Sequence, residues 1–243
     1  MGSKLKRIYE LLEQYKFLLR KWEILEKNIF EFWRINLTYN STAIEWNTLT
    51  EMETKLVVED WISIWNKKVV EILEVKNHAK ALDYVIDLSK KIKINQIDEN
   101  IILEIHKIIL QWINDEEAWK YRNCRVRISW SSVVFPNYIK IPQLMNDFVN
   151  WIKTTNDDVV NVVIKLHLKF VSIHPFVDGN WRVARLLFNL ALLTEWFPLI
   201  SIRVKNREKY LKSIEKAQLT WNEKEYIDFM LWEIIKNLEE YLK

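Results

Sequence analysis

Glycine is nearly missing from this chain: there are 2 in 243 residues, where average usage of about 7% would supply roughly 17. Turns and helix ends that need left-handed backbone have little of the residue that adopts it without penalty. Cysteine is scarcer still. Cys124 stands alone, which excludes an internal disulfide framework and a multi-cysteine metal site, and fits a reducing cytoplasm. No stretch approaches 18 uncharged apolar residues, since even the run after Ala184 carries Arg185 and Asn189, so no membrane span is expected. Ser3-Lys4-Leu5-Lys6-Arg7 leads straight into an amphipathic pattern with Glu10 and Glu13, which lacks the unbroken apolar stretch of a secretory leader. An excess of one charge is missing too: 36 Lys and Arg against 33 Asp and Glu leave a net +3, spread along the chain. That argues against a nucleic-acid partner. A soluble, cytoplasmic protein is the expectation.

What the chain does have is apolar residues at helical spacing. With 49% hydrophobic and 28% charged residues, its composition is that of an ordinary globular protein. Leu5, Ile8, Leu11, Leu12, Tyr15, Leu18 and Leu19, with Ser3 as a cap, predict a long first helix reaching toward Trp33. The polar stretch Asn36, Thr38, Asn40, Ser41, Thr42, Glu45 and Asn47 predicts a short helix bounded by loops. Further helices are predicted over 69–88, 100–112, 144–151, 159–173, 182–193, 207–217 and 223–242. Between Arg125 and Ile141 the pattern changes. Val126, Ile128, Val133, Val134 and Phe135, beside Pro136-Asn137, predict short extended segments around a turn.

One strip, Ile173 to Arg185, packs a base, a carboxylate, a turn and two guanidiniums together. Pro175 stops the preceding helix near His174, Asp178-Gly179-Asn180 is turn chemistry, and Val183, Leu186, Leu187 and Leu190 restart a helical period. Loop amides and the new helix's N-terminus then point at one spot, where an anion is favoured. Arg182 and Arg185 oppose the helix dipole unless such an anion intervenes, and their forked donors suit phosphate oxygens. His174 would otherwise read as a capping residue, but beside this strip its near-neutral pKa suits taking a proton from an alcohol. Asp178 reads either as a cap or as a Mg²⁺ ligand. His78, His106 and His167 have no ligand-like spacing and read as core or surface histidines.

The strip resembles the signature of the Fic family, HPFx(D/E)GNGRxxR. It matches at His174, Pro175, Phe176, Asp178, Gly179, Asn180, Arg182 and Arg185, and departs at Trp181, where the family has Gly. Glu117 to Arg122, Val126-Arg127-Ile128-Ser129, the Ile141-Pro142 step and Phe197-Pro198 are similar to the family as well. The resemblance implies a mainly α fold: a Fic-type helical bundle core over 95–243 with a short β-hairpin flap, and an N-terminal helical region over 1–94. It implies a protein adenylyltransferase that moves AMP from ATP to a hydroxyl side chain of a target protein. His174 would be the base, Asp178 would hold Mg²⁺, and Gly179, Asn180, the residue at 181, Arg182 and Arg185 would contact the nucleotide. Ser41 and Glu45 resemble the inhibitory motif (S/T)xxxE(G/N), whose glutamate pairs with the second motif arginine, here Arg185. In the flap, Ser131, Ser132, Val133 and Val134 would pair with an extended target segment through backbone hydrogen bonds. Removal of AMP is an alternative within the family, and a homodimer is left open.

The departure at Trp181 belongs to a wider pattern, because the chain holds 13 Trp beside its 2 Gly. Trp196 follows a helix where a left-handed cap is expected, and Trp65 and Trp130 sit among turn residues. Trp46, Trp112, Trp119 and Trp221 fall where the family commonly has Gly. Some bacterial lineages read UGA as Gly and others as Trp, so these positions are read as glycine codons translated with the wrong table. Trp22, Trp33, Trp151 and Trp232 lie within helical periods and read as true Trp. The rival is a genuinely Trp-rich chain, whose indole at 181 would displace phosphate and leave a catalytically inactive, Fic-like binding module.

Overall fold

The computed structural model describes residues 2–21, 23–60, 62–129 and 131–243; Trp22 and Trp130 lie outside the described residues. Among these are ten α-helices: α1 (Gly2–Lys21), α2 (Glu23–Ala43), α3 (Glu51–Glu59), α4 (Val69–Ser89), α5 (Glu99–Leu110), α6 (Ile141–Thr154), α7 (Val159–Ile173), α8 (Asn180–Leu193), α9 (Arg207–Thr220) and α10 (Lys224–Tyr241). Local chemistry sets several of the boundaries. Asp158 accepts from the amides of Val160 and Asn161 and starts α7, which stops at His174, the residue before Pro175. Asp98 caps α5 through the Ile101 amide.

Helix α8 lies at the centre. Every residue from Arg182 to Leu192 is buried, the polar Arg182, Arg185 and Asn189 included. It packs on α7, α4, α5 and α2, while α1 lies along α10. One continuous cluster joins Ile8 of α1, Leu37 of α2, Leu82 of α4, Ile105 of α5, Phe170 of α7, Leu187 of α8 and Ile234 of α10. Residues on both sides of position 95 thus contribute to one core. No helix among the described residues is long and apolar enough to cross a membrane.

Three expectations change. The polar stretch at 36–43 is not a separate short helix but the last two turns of α2. Two of its side chains bond back to the helix, Thr42 donating to the Thr38 carbonyl and Asn40 to that of Asn36, while Thr38 meets His78 and Ser41 meets Arg185. Helix α3 was not foreseen, although Thr50 and Glu53 form a reciprocal capping box, a pattern readable three residues apart. The β-hairpin is not seen: the described residues of 125–137 contain no strand. The reason is local. Side chains take the amides that a ladder would use, with Ser132 N–H donating to Glu215 and Val133 N–H to the Ser131 hydroxyl, and an isolated pair of strands is marginal in any case.

The backbone bears directly on tryptophan. Trp46, Trp112, Trp119, Trp196 and Trp221 all have φ between 59° and 73°, the left-handed region that favours glycine. Two of them end helices in a specific way. Asn47 N–H bonds to the Thr42 carbonyl and Trp46 N–H to that of Ala43; Phe197 and Trp196 repeat this with Leu192 and Leu193. That pair of bonds is the Schellman motif, and both Trp occupy its glycine position. At the 65–67 turn the left-handed residue is Asn66, not Trp65.

Candidate active site

The loop from His174 to Gly179 is held from several sides. His174 closes α7 in left-handed conformation (φ 52°, ψ 60°), with its amide bonded to the Phe170 carbonyl. Asn180 reaches back across the loop: its Nδ2 donates to the Phe176 carbonyl and its Oδ1 accepts from the Phe176 amide, both at 2.9 Å. The Asn180 side chain is thereby committed to the loop, and its backbone amide is what it can offer a ligand. His106 stacks on Phe176 with ring centroids 3.6 Å apart and bonds through Nε2 to the Asp178 carbonyl at 3.1 Å. Gly179 then starts α8 at φ 77°, and a Cβ there would meet Ile109 at 3.3 Å and His106 at 3.5 Å. The left-handed backbone favours glycine at this point, and the space for a Cβ is tight.

The near-neutral pKa expected of His174 is not what its surroundings give. Burial and the nearby Arg122 charge push its pKa down to about 4, so the ring is neutral near pH 7. Its Nδ1 lies 3.3 Å from the Val171 carbonyl. Because a carbonyl can only accept, Nδ1 carries the proton and the Nε2 lone pair is left to take one. Phe135 stacks on this imidazole at 4.0 Å. Trp181 stands edge-on, its ring centroid 6.5 Å from that of His174 and 6.0 Å from that of Tyr210.

The two arginines of α8 are buried, and each faces carboxylates. Arg182 has Glu45 at 3.2 Å, Asp178 at 3.3 Å and Glu74 at 3.7 Å. Arg185 donates from Nε to the Ser41 hydroxyl and from Nη2 to the Ser41 carbonyl, each at 2.8 Å, and also from Nη2 to Glu45. Glu45 therefore bridges both arginines, where the sequence pointed only to Arg185. The turn that carries it is fastened to α4, since Asn47 Nδ2 donates to the Glu71 carbonyl at 2.8 Å and to Glu74 at 2.9 Å. Nη1 of both arginines remains buried without a hydrogen bond, and leaving such donors unpaired costs about 1–3 kcal/mol each. Asp178 receives the Gly179 amide at 2.6 Å and its side chain is 54% exposed. No group of three or more His, Cys, Asp or Glu able to hold a metal occurs among the described residues.

Residues 96–192 match the Fic/DOC family model, a span that contains His174 to Arg185. The chain belongs to the Fic/DOC family. Over 183 residues this Fic chain is 35% identical to Protein adenylyltransferase Fic of Nematostella vectensis, covering 74% of this chain and 42% of that protein. Over 184 residues it is 32% identical to Protein adenylyltransferase fic-1 of Caenorhabditis elegans, covering 74% and 36%. It thus spans less than half the length of these curated relatives. Fic-1 (residues 134–508) of C. elegans superposes on 99% of the chain and 71% of its own with a TM-score of 0.84 at 25% identity. A Fic domain-containing signaling protein from Bacteroides thetaiotaomicron superposes on 99% and 97% with a TM-score of 0.84 at 21% identity.

The Fic site brings Ser41, Glu45, His174, Asp178, Gly179, Asn180, Trp181, Arg182 and Arg185 together. The flap residues join it indirectly: Ser131 and Ser132 are tied to Glu215 of α9, Phe135 reaches His174, and Val134 is 83% exposed. Sequence reasoning missed Glu74 and read His106 as an ordinary core or surface histidine, because each sits inside a regular helical period.

Proposed function

We propose that the protein transfers AMP from ATP to a hydroxyl of a target protein, and that Glu45 restrains this activity. The observation that carries the reading is the convergence of His174, whose Nε2 is left to take a proton, with a helix N-terminus and two buried arginines, each with an Nη1 that makes no hydrogen bond. Together they suit an anion with several oxygens, such as a triphosphate. The target hydroxyl oxygen attacks the α-phosphorus as its proton passes to His174 Nε2. The bond from that phosphorus to the bridging oxygen breaks, and pyrophosphate leaves. The amides at the start of α8, Arg182 and Arg185 stabilise phosphate charge, so positioning and electrostatics do most of the work.

The half-exposed carboxylate of Asp178 fits Mg²⁺, which keeps waters and draws further oxygens from substrate phosphates. Bound there, the ion would neutralise charge between phosphates. Glu45 supports restraint by geometry, since it occupies the guanidiniums a γ-phosphate would need. The alternating exposure of Ser131 to Val134 supports an edge along which a target segment pairs.

The rim position of Trp181 favours a second reading, in which the indole excludes nucleotide and the chain acts as an inactive binding module. One experiment separates the two. With labelled ATP, Trp181→Gly combined with Glu45→Gly is expected to auto-adenylylate, while the Glu45→Gly protein that keeps Trp181 stays silent. Equal ATP affinity with and without Trp181 would show that the indole does not block the site. Retention of transfer by His174→Ala in the doubly substituted protein would remove the assigned base.

A further inference from the structure

Arg122 is buried, 2% exposed, and all of its bonds go to backbone carbonyls. Its Nε donates to the His174 carbonyl at 2.8 Å, Nη1 to that of Cys124 at 2.9 Å and Nη2 to that of Pro136 at 2.7 Å. Its own amide donates to the Pro175 carbonyl at 2.9 Å. Cys124 and Pro136 are the two ends of the segment that carries Ser131 to Val134, and His174 and Pro175 open the loop. One rigid fork therefore spans both ends of that segment and the turn holding the imidazole. Phe135, adjacent to Pro136, lies against the His174 ring at 4.0 Å, and beyond it Glu215 tethers Ser131 and Ser132. No carboxylate pairs with Arg122 among the described residues, so its place is not explained by neutralising a charge. If bulk packing were the whole requirement, an apolar side chain would meet it without the cost of burying a cation. The fork does something an apolar residue cannot, which is to fix three strands of backbone at set distances.

We propose that Arg122 is a positioning residue: it fixes the 125–135 segment against the loop of His174, so that a hydroxyl presented along the segment arrives within reach of Nε2. The consequence for catalysis rests on the adenylyl-transfer reading; the clamp itself does not. A misplacement of about 1 Å at such a site can cost about 100-fold in rate, and lysine cannot reproduce the planar fork.

The test compares Arg122→Lys with its parent, both carrying Glu45→Gly and Trp181→Gly. Hydrogen exchange is expected to accelerate at least about tenfold across 123–136 while α7 and α8 keep their protection, because only the fork's contacts are lost. Diethylpyrocarbonate is expected to modify His174 faster as Phe135 loosens over it. For auto-adenylylation, kcat is expected to fall about 100-fold with little change in KM for ATP. Unchanged exchange and unchanged modification of His174 would overturn the clamp. Loss of protection in α7 and α8 as well, or loss of the fold, would make Arg122 structural and overturn the positioning role. A parent that transfers no AMP would sink the functional reading, while exchange and His174 modification would still decide the clamp.

Discussion

At the scale of single residues, tryptophan in left-handed backbone is the sharpest conflict between this sequence and its fold. An L residue with a Cβ in that region is strained by about 1–2 kcal/mol, and in all five positions the indole is exposed; the Arg207 guanidinium 3.8 Å over the Trp46 ring offsets part of the strain there, worth about 0.5–1 kcal/mol at an exposed site. Trp46→Gly and Trp196→Gly are each expected to raise the free energy of unfolding by about 1 kcal/mol, the unfolded chain's added freedom cancelling part of the gain. Trp33 provides the contrast: it is buried and stacks on Tyr241 at 4.3 Å, so Trp33→Gly is expected to cost several kcal/mol, on the order of a large core truncation. Denaturant titration of the three variants checks the signs. The gene is expected to carry UGA at positions 46, 65, 112, 119, 130, 181, 196 and 221, with ordinary glycine codons at Gly2 and Gly179. UGG at 46 and 196 would end that explanation and leave the strain as a property of the protein.

At the scale of elements, the end of α2 meets the start of α8 through Glu45 and two arginines. Glu45→Gly in the Trp181→Gly background is expected to raise auto-adenylylation by roughly 10- to 100-fold, the usual span of a coupling between two sites. Arg185→Ala is expected to give no such gain, because the nucleotide then loses its own partner. Equal rates with and without Glu45 would remove the restraint. Much of this site was legible in the sequence because its parts are contiguous: Pro175 ends one helix, Gly179 opens the next, and the charges lie between. Arg122, Glu74 and His106 were not. They come from elsewhere in the chain, 52 residues away for Arg122 at His174 and 72 for His106 at Asp178; Glu117 to Arg122 resembles the family, but its local pattern does not mark the contact with His174. The helical elements were legible through apolar spacing, and they fail at 36–43, where polar side chains bond back to their own helix. The flap failed for a different reason: alternation reports extended backbone but not whether a partner strand exists.

For the molecule as a whole, all four histidines are buried, and burial lowers every one of their pKa values: His174 and His106 to about 4, His167 to about 3 and His78 well below its usual range. A histidine with a depressed native pKa favours the folded state above its unfolded value of about 6.5, and that advantage is lost as pH falls toward the native value. Glu233 works in the opposite direction. Burial raises its pKa to about 6, so its protonated form helps folding at low pH, and this help disappears as pH rises from about 4.5 to 6. Burial raises the Glu74 pKa as well, and four groups outweigh two. Stability is expected to fall steeply from about pH 6.5 to about pH 4, by up to roughly 1.4 kcal/mol per pH unit for each uncompensated histidine, with net proton uptake on unfolding. Calorimetric melts in buffers of different ionisation enthalpy check both the slope and the uptake; a flat profile across that range would contradict the burial of the four rings.

If Glu45 restrains the site as proposed, it competes with nucleotide from within the same chain. A carboxylate delivered by the protein's own backbone is a ligand whose concentration never dilutes, and tethered groups at such range act at effective concentrations on the order of millimolar. Raising ATP alone is then a weak way to displace it. Under the proposed restraint, the observed affinity for nucleotide would be the intrinsic affinity scaled by the fraction of molecules in which the turn after α2 has already swung away. Anything that grips that turn in its displaced position, without touching the phosphates, would act as an activator.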